Sequence, residues 1–210
     1  MWYKLKRILI YPDGVTEKQV YPAPYQYSYD FRDKSTTILT NDGWTISSTS
    51  GMSFNSDWIY LNGAYTPNIH RDLWVSLNDA KYIKYIMNWK FIWDAGMWCT
   101  LITRVGTDDN TQNWLANNKN SSVASVWWYI QGTRTFKQNI SAWNYVQSLK
   151  FDLENKTMLL DVNWNTYTWT LTDANVTALK TNNNLKLYLW QYPSTTPQVY
   201  VSSIWIEVWL

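Results

Sequence analysis

Acidic side chains are considered first, because two carboxyl groups held at a fixed separation can cleave a glycosidic bond. The 210-residue chain has only three glutamates, Glu17, Glu154 and Glu207. The nearest pair of carboxylates is Asp152 and Glu154, two residues apart and therefore on one face of a strand. This pair adjoins a polar turn, where acidic residues are common. We therefore interpret it as structural, and the chain is predicted not to be an enzyme.

Cysteine and histidine counts limit nucleophilic and metal chemistry. Cys99 and His70 are the single members of their types, so a catalytic thiolate–imidazole pair would require these two side chains to meet. Cys99 lies in an apolar, strand-like stretch and is predicted to be a buried thiol, whereas His70 follows a polar loop and is predicted to lie at the surface. The same counts exclude a zinc site of His and Cys ligands and an internal disulfide.

One dense acidic loop cluster occurs, at residues 107–110. Calcium binds Asp, Asn and backbone oxygens, so Asp108 and Asp109 are the candidate ligands for that ion. The alternative is a turn rich in hydrogen-bonding side chains, since no complete ligand loop is visible. Apart from this calcium candidate, no metal or cofactor is predicted.

Tryptophan and tyrosine give the chain its greatest capacity for recognition. There are 16 Trp and 16 Tyr but only 5 Phe, and each of the first two combines an apolar ring with a hydrogen-bonding tip. A sugar ring packs on an indole while neighbouring amides and carboxylates fix its hydroxyls. The alternative is that most of these rings fill the core or a subunit interface. Candidates for glycan or partner contact lie beside amide-rich loops, at a hairpin tip or on outer strand faces: Trp114, Trp127, Trp128, Trp164, Tyr188, Trp190, Trp205 and Trp209.

The last two predicted strands place four of these aromatics opposite a row of leucines. If the leucines face the core, then Tyr188, Trp190, Trp205 and Trp209 lie on the outer face. An apolar patch of that kind suits a protein partner or a second copy of the chain.

Strands must position these residues, because the chain from residue 30 onward is a series of short alternating runs separated by turns. No long apolar period of 3.6 residues occurs, so no substantial helix is expected. The pattern predicts an all-β, two-sheet antiparallel sandwich. The clearest predicted elements are strands at 146–153, 157–163, 167–172, 185–190 and 199–209, a tight reversal at 163–165 and a helical turn at 173–179.

The first segment, residues 1–27, differs from the remainder. It reads as a short hairpin followed by an extended linker, and it is too small to bury a core alone. We predict that it is a docking arm and that residues 28–210 form the sandwich. The predicted docking residues are Tyr3, Lys4, Leu5, Lys6, Arg7, Ile8 and Ile10.

Residues 141–163 and 199–208 resemble the laminin-G and concanavalin A-like jelly roll. In that superfamily a tryptophan opens a strand, a polar turn follows, and the next strand ends in a short hairpin, as Trp143, residues 154–156 and residues 163–165 do here. The resemblance implies a lectin-like sandwich over residues 28–210. It does not choose a function, because this fold hosts lectins, glycosidases and structural modules.

The opening residues 3–14 and 18–22 are similar to the N-terminal segments of tailed-bacteriophage virion proteins. This similarity implies a non-enzymatic virion component, such as a tail, fibre or head-decoration protein, made in the host cytoplasm. The expected partners are other virion proteins, further copies of the chain and a host-surface glycan. A stand-alone bacterial carbohydrate-binding module and a glycosidase-like enzyme remain the alternatives.

Charge and hydropathy exclude two other classes of partner. The net charge is +2 and no basic run or stripe occurs, so the sequence offers little attraction for nucleic acid. No window approaches the length of apolar sequence that crosses a membrane.

Overall fold

The computed structural model describes residues 24–62, 68–92, 99–105, 114–120, 123–130, 133–140, 144–181, 185–191 and 198–210. The predicted docking residues between Tyr3 and Ile10, and the calcium candidates Asp108 and Asp109, lie outside these ranges. The elements are β1 (Tyr25–Asp30), α1 (Thr36–Asn41), β2 (Thr45–Ile46), β3 (Met52–Phe54), β4 (Ile59–Asn62), β5 (Asn68–Asp72), β6 (Tyr82–Ile92), β7 (Cys99–Val105), β8 (Trp114–Asn120), β9 (Val123–Ile130), β10 (Thr133–Ile140), β11 (Asn144–Asp152), β12 (Thr157–Val162), β13 (Asn165–Thr170), α2 (Asp173–Lys180), β14 (Lys186–Gln191) and β15 (Gln198–Trp209).

The strands form two antiparallel sheets. Sheet I has the order β13-β12-β11-β6-β15-β4-β3, and β1 also pairs with β15. Sheet II has the order β10-β9-β8-β7-β14-β5-β2. This architecture confirms the predicted all-β antiparallel sandwich.

The core lies between the two sheets. In sheet II, Leu187 and Leu189 are fully buried and alternate with half-buried neighbours, as a strand with one inner face requires. Sheet I supplies large rings to the same layer, among them Trp89. Trp128 of β9 meets Phe151 of β11 across the layer, with ring centroids 4.6 Å apart. Aromatic rings from the two sheets therefore meet within a largely aliphatic core.

The C-terminal third follows the predicted order of strands. The reversal between β12 and β13 places Asn163 at φ 45° and Trp164 at φ 72°, and two consecutive positive φ values are typical of a type I′ hairpin turn. The helical turn is the eight-residue helix α2. It begins with a capping box in which Thr172 accepts from the Asn175 backbone and the Asn175 side chain accepts from the Thr172 backbone.

The predicted boundary at residue 27 is wrong. Tyr25 and Tyr27 belong to β1, where they pair with Val208 and Ile206 of β15. The tyrosines of β1 are half-buried against the core and alternate with exposed residues. That alternation is the period of a strand, and the prolines before it favour the extended backbone that a linker and a strand share. The sandwich therefore includes β1.

Candidate functional site

The outer face of sheet II carries a pair of stacked aromatic rings from two neighbouring strands. His70 of β5 pairs directly with Tyr188 of β14. Their rings are stacked, with centroids 5.2 Å apart and planes 8° from parallel. Because Leu187 and Leu189 face the core, Tyr188 lies on the outer face, as predicted. The surface histidine predicted at residue 70 is half-buried by this stacking.

An ion pair borders this stacked surface. Lys186 pairs with Asp72 in the register, and the lysine Nζ lies 3.2 Å from Asp72 Oδ1. The two side chains are 24% and 29% exposed. Asp72 follows His70 by two residues and Lys186 precedes Tyr188 by two, so the pair lies on the same face as the two rings. The pair places a donor and an acceptor next to an apolar ring, which is the combination that a polyhydroxylated ligand requires.

Trp74, which the sequence analysis did not single out, lies at the end of β5. The Leu73 N–H donates to the Leu185 carbonyl, and the Leu185 N–H donates to the Val75 carbonyl, each at 2.8 Å. Both flanking residues are buried, whereas Trp74 is 73% exposed at φ 56°. The chain thus forms a bulge that turns one indole outward. The sequence carries a signal for its orientation, because Leu73, Val75 and Leu77 alternate with it and are buried, whereas its positive φ has no counterpart in the sequence.

Backbone pairing extends the row of His70 and Tyr188 across sheet II. Tyr188 is paired with Arg104, Arg104 with Trp114, and Trp114 with Tyr129. Directly paired positions share a face of the sheet. The next row joins the positions Asn68, Trp190, Ile102, Ala116 and Trp127. Four of the predicted contact residues, Trp114, Trp127, Tyr188 and Trp190, therefore occupy two adjacent rows of one sheet.

The prediction that Trp128 contacts a glycan or partner is wrong. Its side chain is 1% exposed and packs against Phe151 in the core. Strand alternation allows only every second residue of β9 to face outward, and Val126, two residues earlier, is also fully buried. The half-buried Tyr129 is on the opposite face to Trp128.

The four C-terminal aromatics do not form the single patch that was predicted. Tyr188 and Trp190 belong to β14 in sheet II, whereas Trp205 and Trp209 belong to β15 in sheet I. Consecutive strands of a jelly roll can lie in different layers, so a shared alternation does not imply a shared surface. The two pairs lie in opposite layers of the sandwich.

On sheet I, Trp209 belongs to a hydrogen-bonded cluster centred on Glu207. The Glu207 Oε1 accepts from the Tyr82 hydroxyl and from the Trp209 indole N–H. Burial, followed by the bond to Glu207, raises the pKa of Tyr82, so this hydroxyl remains a donor. Lys84 lies over the Trp205 ring, 5.8 Å from its centroid. Trp209 and Trp205 are therefore each held by a polar or charged group of the same chain.

Trp164 is fully exposed at the tip of the β12–β13 hairpin. Its neighbour Asn165 donates to the Asn163 carbonyl at 3.4 Å. The indole is not buried, as expected for a tryptophan at the tip of a tight hairpin. Whether it contacts a ligand stays a prediction.

Asp152 and Glu154, the carboxylate pair considered for glycoside hydrolysis, lie at the turn between β11 and β12. Asp152 accepts hydrogen bonds from the Asn155 backbone N–H at 3.0 Å and from the Asn155 side chain at 3.1 Å. The backbone bond is the main reason that the pKa of Asp152 is lowered. A general acid needs a raised pKa, so this aspartate caps the turn between β11 and β12 instead.

The register also separates Cys99 from His70. His70 is in the row of Arg104, and Cys99 begins β7 five residues before Arg104. At ~3.3 Å per residue the two rows are roughly 17 Å apart, so the strands hold no cysteine–histidine pair. In the described ranges, no helix could span a membrane. The same ranges contain no group of three or more His, Cys, Asp or Glu residues that could hold a metal ion.

Comparison with known proteins identifies the fold. No protein-family model and no curated protein sequence matches the chain. Among solved structures, the CBM2 module of the evolved Dit from Lactobacillus casei BL23 phage J-1 is similar over 90% of this chain and 98% of that one, with TM-score 0.62 and 11% identity. The lectin from Bauhinia forficata in complex with GalNAc covers 88% and 98%, with TM-score 0.58 and 9% identity.

A third similar structure is that of a carbohydrate esterase from the Shiga toxin-encoding bacteriophage phi24B. The likeness covers 87% of this chain and 97% of that one, with TM-score 0.57 and 15% identity. These similar structures include binding modules and an enzyme. Identities this low show a shared fold and do not show a shared function. The chain therefore has the lectin-like β-sandwich fold that the sequence predicted.

Proposed function

We propose that the outer face of sheet II binds a glycan, with Trp74, His70 and Tyr188 as its aromatic contacts. The observation that carries this proposal is the backbone of Trp74. A bulky residue at positive φ is rare, and the left-handed conformation costs about 1–2 kcal/mol. An indole that is 73% exposed recovers little of that cost by packing. Strain of this kind persists where it serves a function, and here it accompanies a ring that is turned toward solvent four residues beyond His70.

The neighbouring groups supply what a sugar needs. The stacked His70 and Tyr188 rings offer an apolar surface, and Asp72 and Lys186 offer an acceptor and a donor. The row from His70 to Tyr129 crosses five strands, which is roughly 19 Å at ~4.8 Å per strand. That length exceeds a single sugar ring and favours an oligosaccharide.

A glycan array followed by titration calorimetry tests this site. We expect Trp74→Ala to weaken binding about tenfold, equivalent to roughly 1.4 kcal/mol, with little change in stability. Trp205→Ala is the matched control, because it removes an indole from the outer face of sheet I. The proposal fails if the wild-type chain binds no glycan on a broad array. It also fails if Trp205→Ala abolishes binding while Trp74→Ala leaves it unchanged.

We further propose that the chain is a non-enzymatic virion protein of a tailed phage, acting as a tail, fibre or head-decoration component. Two observations favour this role: the similarity of residues 3–14 and 18–22 to phage virion segments, and the two phage proteins among the similar structures. The proposed partners are other virion proteins and further copies of the chain, and the proposed location is the particle.

Deletion of residues 1–23 separates this role from that of a stand-alone bacterial carbohydrate-binding module. The deletion leaves β1 intact, so the sandwich should still fold and bind its glycan. For a virion protein, incorporation into particles, measured by immunoblot of purified phage, should be lost. Incorporation that persists without residues 1–23 would rule out the docking arm, and absence of the full-length chain from particles would rule out the virion role.

A further inference from the structure

In the described part of the chain, the two sheets end in four strands, β2, β3, β10 and β13, and three of these carry features that oppose pairing with another chain. Strands β2 and β3 are two and three residues long. Strand β10 carries the charges of Arg134 and Lys137 and has a bulge between Arg134 and Phe136. Strand β1, which pairs with β15 off the main path of sheet I, follows Pro24 and ends at the charged Asp30. Short length, bulges, prolines and charges are the usual protections of an exposed sheet edge.

The fourth end strand, β13, has none of these features. Its six residues are uncharged and include no proline, and its register with β12 runs without a shift. Thr166, Thr168 and Thr170 are exposed. We call the side of this strand that faces away from β12 the β13 edge. A regular, unprotected edge of this kind is a template for pairing with a strand of another chain.

The hydrogen-bond phase of the hairpin shows which backbone groups the β13 edge presents. The Leu171 N–H donates to the Lys156 carbonyl at 2.7 Å. Every second residue of an antiparallel strand bonds to the same neighbouring strand, so Tyr167 and Trp169 also bond to β12. The backbone N–H and C=O groups of the three threonines therefore point away from β12, along the β13 edge.

The sequence of β13 is symmetric about its central threonine. Threonine and an aromatic residue alternate on both sides of it, as Thr166-Tyr167-Thr168-Trp169-Thr170. If two copies pair in antiparallel fashion about Thr168, each threonine lies opposite a threonine, and Tyr167 lies opposite Trp169 of the second copy. Thr–Thr and aromatic–aromatic pairs are favourable across strands, and no charged residue meets a like charge.

Tyr167 and Trp169 add an apolar contact to this pairing. Both side chains are half-buried and pack against the core, and their ring centroids are 6.2 Å apart. Because β13 ends sheet I, a second copy along the β13 edge brings its own two rings beside them. The pairing thus extends the core layer as well as the backbone ladder.

We propose that two copies of the chain pair through their β13 edges, with a two-fold axis at Thr168. Each of the three directly opposed threonine pairs exchanges two backbone bonds, which gives about six. This pairing rests on the proposed association of further copies and gives it a location, but it depends on neither the glycan site nor the virion role. Because the contact is one pair of strands ~20 Å long, we expect a concentration-dependent dimer.

Sedimentation of the full-length chain over a wide range of concentrations tests the pairing. We expect the average mass to rise with concentration from that of one chain toward that of two. Thr168→Lys sets two like charges opposite each other at the axis and should weaken association about tenfold or more. Thr45→Lys is the matched control and should associate as wild type does, since it adds the same charge to an exposed threonine of another end strand, β2.

A mixture of Thr168→Lys and Thr168→Glu tests the register. The axis places residue 168 of each copy directly opposite its counterpart, so the two variants carry complementary charges there. We expect the mixture to form dimers at concentrations at which neither variant does so alone. A mixture that stays monomeric at those concentrations overturns the pairing about Thr168.

Thr168→Pro tests the same edge without adding a charge. Because the Thr168 N–H points away from β12, proline removes one donor from the β13 edge and leaves the bonds to β12 in place. We expect weaker association with the far-UV circular dichroism of the wild type. A proline variant that dimerises as tightly as wild type overturns the proposal.

The remaining outcomes separate this pairing from the proposals above. A wild-type chain that stays monomeric overturns both the pairing and the proposed association of copies. If wild type and Thr168→Lys associate equally, the β13 edge is wrong, whereas the association of copies stands. Deletion of residues 1–23 should leave the dimer intact, and loss of the dimer would assign the contact to that segment and overturn the β13 pairing.

Discussion

Trp164→Gly replaces a residue that the hairpin geometry disfavours with the residue that it favours. Trp164 has φ 72° and follows Asn163 in a turn with two positive φ values, where Asn-Gly is the preferred sequence. Because its side chain is 100% exposed, the substitution removes no buried apolar surface. Relief of the left-handed conformation returns about 1–2 kcal/mol. The greater freedom of glycine in the unfolded chain costs about 0.4–1 kcal/mol, which leaves a net gain of roughly 0.5–1 kcal/mol.

Equilibrium urea unfolding measures this gain as a higher midpoint at an unchanged slope. Trp164→Ala is the control, because it removes the same indole but keeps a Cβ in the left-handed region. We expect no comparable gain from the alanine variant. A glycine variant that is less stable than wild type would show that the turn geometry or the indole's exposure has been misjudged. An equal gain from alanine would show that the indole itself, and not the backbone angle, causes the strain.

Two further substitutions test the core and the turn. Trp128→Ala should destabilise the fold by about 3–5 kcal/mol in urea unfolding, because it empties a fully buried position against Phe151; a loss below about 1 kcal/mol would contradict that burial. Asp152→Asn tests the lowered pKa of the turn-capping carboxylate. Since the folded-state pKa lies below the unfolded value, Asp152 stabilises the fold above the unfolded pKa of ~3.9, and this contribution disappears as pH falls through the folded pKa. The stability difference between wild type and Asp152→Asn should therefore shrink below about pH 4, and a difference that grows there would contradict the capping role.

The local order of strands could be predicted from the sequence because a one-sided strand imposes a period of two. The leucine row of β14 and the turn at residues 163–165 both follow from that rule and from turn chemistry. The same rule applies to β1, although the prolines before Tyr25 are also typical of a linker. The two-residue period of the strand could not show which of Trp127 and Trp128 faces inward, because these two adjacent residues are both tryptophans.

Assignment of strands to sheets required the structure. Nothing local in Tyr188 and Trp205 shows that β14 and β15 lie in different layers, because that depends on pairings with strands more than a hundred residues away, such as β5 and β6. The positive φ of Trp74 is equally invisible in the sequence, although the alternation of Leu73, Val75 and Leu77 does place this residue outward.

The positions of the tryptophans separate two uses of one residue type. Trp44, Trp89 and Trp128 are at most 2% exposed and fill the space between the sheets, so their size is explained by packing. Trp74 and Trp164 are 73% and 100% exposed, and both have positive φ. Glycine or asparagine would satisfy those two backbone angles at lower cost, and neither indole adds to the core. These two exposed rings, held in a conformation that stability disfavours, are the reason for proposing contact with another molecule.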